Sequence, residues 1–141
     1  MITTEADARR NRMRLLVWWI IWGADLVALV LIYVLLGRGP QGAKELLPET
    51  VLTGLVGLVP LLVSVVIRWL VLPRYTEMGR ALVMFIIGLS LAEGGGLLGI
   101  FLGGPYRDDL FVFGMFGLVQ YVPIFAQRYL EPKGSGFIPN N

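Results

Sequence analysis

The chain has 141 residues, 56% of them hydrophobic and 16% charged, with a net charge of +2 and a mean hydropathy of +0.72. That balance lies outside the range of a soluble domain and leaves no length for a separate soluble catalytic unit. There is no cysteine and no histidine, which excludes histidine-ligated haem, iron–sulfur clusters, the usual zinc sites and disulfides.

No cofactor is expected, and with no legible nucleophile–base pair no enzyme is expected either. The Lys and Arg stand beside apolar runs rather than forming a patch, which argues against nucleic acid. Four apolar runs of spanning length predict an all-α, polytopic membrane protein. It comprises a basic polar lead (1–14), one four-helix transmembrane domain (15–127) and a flexible tail (128–141). The spans fall at about 15–36, 51–72, 82–103 and 110–127.

The lead carries Arg9, Arg10, Arg12 and Arg14. The first span is too long for a signal-peptide core and lacks a small-residue cleavage pattern, so it is expected to remain in the membrane. Trp18 and Trp19 near its start fit an interfacial aromatic belt. Asp25 lies ten residues in, near mid-membrane. Trp22, one turn earlier, shares its face, and the indole N–H could serve a nearby carboxylate. The loop at 37–50 (GRGPQGAKELLPET) is turn-rich, with Gly39-Pro40 a strong breaker. In the second span Pro60 is expected to kink or locally open the helix. Arg68, near its far end, is expected to snorkel to the interface.

A short basic connection, PRYTEMGRA, leads into the third span. In its middle sits Glu93, followed at once by Gly94, Gly95 and Gly96. A charge at that depth costs at least a few kcal/mol, so an intramembrane Glu marks a functional site by default. The structural alternative is a protonated Glu making one interhelical hydrogen bond. Gly88, Ala92, Gly95, Gly99 and Gly103 fall on one side as a small-residue ridge that lets helices approach closely. At 100° per residue Glu93 lies about 120° from the ridge centre. The ridge should therefore pack one neighbour while Glu93 faces another helix, another subunit or lipid.

The run Ile87-Gly88-Leu89-Ser90-Leu91-Ala92-Glu93, with Gly99 six residues past the acid, resembles the carboxylate-bearing helix of subunit c of rotary ATP synthases. In that family a small residue precedes the acid and a glycine follows at the same distance. Pro73, Arg74 and Glu77 are loosely similar to the family's polar loop, in a different order and register. The likeness covers about 65–103. The helix before the loop has only Gly54 and Gly57 where the family's first helix carries a GxGxGxG run, and the acid here lies on the third span. The resemblance implies that Glu93 binds a proton or sodium ion within an oligomer.

After a third loop with Arg107, Asp108 and Asp109, the last span carries Gly114 and Gly117 for packing and Pro123 near its end. Gln120 is at mid-depth, where a buried amide wants partners. It could donate to a carboxylate or bind helix to helix.

Arg9, Arg10, Arg12, Arg14, Arg68, Arg74, Arg80, Arg128 and Lys133 fall on one side, and Arg38, Lys44 and Arg107 on the other. That asymmetry predicts cytoplasmic termini in a bacterial inner membrane or its equivalent. The first and third spans then run the same way, and Asp25 and Glu93 reach nearly the same depth. With no cation at that level, at least one of the two should hold its proton.

The residues support a proton- or cation-handling subunit, with Glu93 as the binding carboxylate, Asp25 as second acid, and Ser90 and Gln120 as hydrogen-bond partners. The alternative is a cofactor-free accessory subunit of a larger respiratory or photosynthetic complex. A small-molecule transporter is disfavoured by the lack of an inverted repeat or a broken-helix pair. Lipid and other membrane subunits, or further copies of the chain, are the expected partners.

Overall fold

A computed structural model describes residues 5–37, 48–102 and 106–129. Helix α1 spans Glu5–Ile32 and runs on through a π-helical turn at Tyr33–Gly37. Helix α2 spans Pro48–Val66, widens into a π turn at Ile67–Val71 and closes in a 3-10 turn at Leu72–Arg74. Helix α3 spans Met78–Leu102, and α4 spans Arg107–Val119, followed by a 3-10 segment at Pro123–Tyr129. Each of the four stretches is long and apolar enough to cross a membrane. The 25 residues of α3 reach about 37 Å, beyond the roughly 30 Å of bilayer hydrocarbon.

Several boundaries differ from the sequence expectation, each for a local reason. The polar lead joins α1, because no Gly or Pro interrupts the chain between Glu5 and Trp22 and arginine is a good helix former. α2 continues through Pro60. The departure comes later, at 67–71, just before Pro73, which has no N–H to continue the ladder. The last span is not one helix: α4 stops at Val119, and Pro123 opens the 3-10 segment that carries the chain on to Tyr129. Asp108 and Asp109 belong to the first turn of α4, where carboxylates suit the positive end of the helix. Gly103, most of the loop at 37–50 and the tail beyond Tyr129 lie outside the described residues.

The bundle is organised around α3, which packs between α2 and α4 while α1 lies along α3 and α4. A Cβ on Gly88 would meet Tyr121, on Gly99 Leu110, and on Gly117 Ala92, so α3 and α4 run antiparallel. Backbones come close at Gly96 and Gly114, where a Cβ on Gly114 would sit 2.7 Å from Gly96 Cα and 3.1 Å from its nitrogen. On the α2 side a Cβ on Gly95 would run into Leu61 and the Gly57 carbonyl. The small-residue ridge thus inserts into a groove between two helices rather than against one.

Trp18 is fully buried, in contrast to an interfacial belt, whereas Trp19 is exposed. The Trp18 ring lies 4.5 Å from Phe85, 5.6 Å from Phe125 edge-on and stacked 6.0 Å from Tyr129. Phe85 in turn meets Tyr121 at 5.8 Å. These aromatics fill the end of the bundle where α1 and α3 enter and α2 and α4 finish, called here the basic end. At the opposite end Tyr33 stacks 3.8 Å from Phe111, and its hydroxyl donates to Asp108 at 3.1 Å.

Candidate functional site

Parallel helices α1 and α3 are in register through two contacts. Trp18 meets Phe85, and Leu29 meets Gly96. Both pairs have the same offset in sequence, which sets Asp25 opposite Ala92 and so level with Glu93. The two carboxyls thus stand at one level on neighbouring helices. Both are half-buried. Neither makes a hydrogen bond or an ion pair with any described residue.

Space beside each acid is open. An added Cβ on Gly23 or Gly94 would meet nothing within 4 Å, and Ser90, one turn below Glu93, is exposed on the outer side of α3. Ser90 therefore shares the outward surface with Glu93, although no hydrogen bond joins them. Of the ridge, Gly88, Ala92, Gly95 and Gly99 are buried against α2 and α4, so ridge and acid serve different surfaces of α3.

The polar groups expected to serve the acids are committed elsewhere. Trp22 Nε1 donates to the carbonyl of Leu118 at 2.8 Å and pins α1 to α4. Gln120 lies across the bundle on the α2–α4 side. Its Oε1 accepts from Trp69 Nε1 at 3.1 Å, and its carbonyl accepts from Arg68 Nε at 2.7 Å. The reason is helix geometry. α4 ends at Val119, so Gln120 sits in the turn that follows and bonds the neighbouring end of α2.

Arg68 does not snorkel free of the bundle. It is half-buried, and its guanidinium lies 4.1 Å from the centre of the Phe125 ring, a cation–π position. The helix ends at this level are capped reciprocally. Arg68, in the π turn after α2, donates to the Gln120 carbonyl just past α4, while Arg128 and Tyr129 donate to the Leu72 carbonyl in the 3-10 turn that follows the π turn, at 3.3 and 3.0 Å. Cations at helix C-termini are favoured by the dipole as well as by the hydrogen bond. Tyr121 donates to the Ser64 carbonyl at 2.7 Å, one turn before the π-helical segment. Trp18 Nε1, Ser64 Oγ and Gln120 Nε2 are buried with no partner among the described residues.

Sequence reasoning missed two features. Gly96 lies outside the expected ridge, yet it makes a close backbone crossing with Gly114. The signal was present, since Ala92-x-x-x-Gly96 is itself a small-residue pair. The tie between the ends of α2 and α4 carried no such signal, because it depends on where α4 stops. Comparison with known proteins gives no similarity to argue from: no family model, no curated protein and no solved structure matches this chain.

Proposed function

We propose that the chain is a small integral membrane subunit in which Glu93, with Asp25 as second acid, binds a proton or monovalent cation at a surface shared with another subunit. The reading rests on one observation: two carboxyls from separate helices stand at one depth of the membrane domain, without a hydrogen bond or ion pair among the described residues. Charge in hydrocarbon is costly, so such groups need a proton, a cation or a donor from outside the chain. The open space at Gly23 and Gly94 gives a neighbouring helix room to approach. The orientation is with both termini cytoplasmic, in a bacterial inner membrane or its equivalent.

The experiment is flux across reconstituted vesicles. Glu93→Gln keeps the shape of a neutral acid and should abolish proton or cation flux without loss of folding. Asp25→Asn should give a smaller defect, and an apolar carbodiimide should label Glu93 selectively. Normal flux through the Glu93→Gln protein would sink the proposal.

One observation favours the accessory-subunit reading. With Trp22 and Gln120 bonded elsewhere, only Ser90 of the expected partners shares a surface with Glu93, and no hydrogen bond joins the two. An absence of flux, together with co-purification in a large hetero-complex, selects that reading.

A further inference from the structure

Leu58, Leu62 and Val65 of α2, with Phe113 and Phe116 of α4 and Gln120 in the turn that follows it, line a cavity of about 350 Å³. It opens outward, since Leu62 and Phe116 are 66% and 67% exposed. The two helices run parallel here, so the lining climbs both in one-turn steps over about 10 Å of axis. One turn beyond Val65 stand Arg68 and Trp69, both bonded to Gln120 at the head of the slot. Trp69 is 62% exposed.

Arg68 makes one hydrogen bond, from Nε, which leaves its terminal nitrogens without a partner among the described residues. Neither Arg68 nor Arg128 forms an ion pair there. The two guanidiniums share one aromatic ring, lying 4.1 and 6.0 Å from the centre of Phe125. An apolar slot therefore leads to two neighbouring positive charges that have no ion-pair partner among the described residues. A cation inside a span is expensive, and an anion carrying its own hydrocarbon answers both halves of the site.

We propose that this seam binds one anionic phospholipid. An acyl chain lies between Val65 and Phe116, the phosphate sits on Arg68 and Arg128, and the headgroup is level with the Trp69 indole. Clustered basic residues between membrane helices suit anionic headgroups. A second copy of the chain fits less well, because the intramembrane acids of its described spans stand at the level of Ala92, about two turns deeper than Arg68.

The test uses the full-length protein in bilayers of equal phosphatidylcholine and phosphatidylglycerol. After extraction in mild detergent, retained lipid is counted by native mass spectrometry. Phosphatidylglycerol should be enriched about fivefold over phosphatidylcholine, and Arg68→Gln should remove about that factor. Val65→Trp fills the slot without touching a charge and should lower retention of both lipids. Arg80→Gln, whose side chain is paired with Glu77 at 3.1 Å, should change nothing.

Equal retention of the two lipids by the wild-type protein overturns the proposal and requires no variant. Undiminished enrichment in a folded Arg68→Gln protein overturns it too. So does displacement of the lipid by soluble glycerol phosphate, because a headgroup site alone needs no slot. If Arg68→Gln does not fold, Arg68→Lys replaces it and should retain the enrichment.

Discussion

Gly96 and Gly114 meet backbone to backbone, whereas Gly23 and Gly94 face open space. Identical residues on comparable helices should therefore respond oppositely to the same methyl group. Gly114→Ala forces a Cβ against main-chain atoms that cannot rotate away, and should cost about 1–3 kcal/mol. Gly23→Ala meets nothing and should be neutral or stabilising by up to about 1 kcal/mol, because alanine loses less backbone freedom in a helix. Thermal unfolding of the two variants in detergent checks the contrast, and equal melting temperatures would refute it. Tyr121 gives a second test. Its hydroxyl satisfies the buried Ser64 carbonyl at 2.7 Å, so Tyr121→Phe should lower stability by about 1–2 kcal/mol.

The four helices are not equally held. α3 packs against all three others, while α1 is the least buried of the spans. α1 stays in place through the Trp18 aromatic cluster and through the Trp22 bond to Leu118, where an indole N–H satisfies a carbonyl next to the end of α4. Trp22→Phe keeps the ring and removes the donor. Amide exchange should then rise in α1 and around Leu118, with α2 and the core of α3 unchanged; uniform exchange across the bundle would show that the bond is not a local tie. The reciprocal capping of α2 and α4 by Arg128 and Arg68 explains why these helix ends stay together despite irregular turns in both. The Gln120 carbonyl finds its donor on the other element, and the Leu72 carbonyl, which also accepts from the Tyr75 N–H at 3.3 Å, gains further donors there.

For the molecule as a whole, basic residues concentrate where α1 and α3 begin and α2 and α4 end. Reporter fusions after Arg38 and Tyr106 should report one side of the membrane, and fusions after Arg74 and at Asn141 the other. Termini on opposite sides would remove the common depth of Asp25 and Glu93 on which the ion-binding proposal depends. The two surfaces of interest then lie on different faces of the bundle, the acids on α1 and α3 and the arginines at the α2–α4 seam. Glu93→Gln should leave lipid retention unchanged, and Arg68→Gln should leave the labelling of Glu93 unchanged. Loss of either would mean that the faces are coupled.

Span count, helix class and the shared level of Asp25 and Glu93 were legible in the sequence, because each follows from local sums. Hydropathy over a window gives the spans, and residues counted from a basic edge give depth at about 1.5 Å per residue. The ridge of Gly88, Ala92, Gly95 and Gly99 was legible through helical spacing. Azimuth was not, and for a physical reason. These helices are apolar on nearly every side, so the periodicity that marks an inward face in a soluble helix carries little information here. Only the docking of α1 on α3 and the 3-10 segment decides that Trp18 is buried, and only the packing of α3 against α4 brings Gly96 onto Gly114. The same packing, with the early stop of α4 before Pro123, turns Gln120 towards Trp69 and away from Glu93. Those outcomes depend on contacts between residues far apart in the chain, which only the assembled bundle brings together.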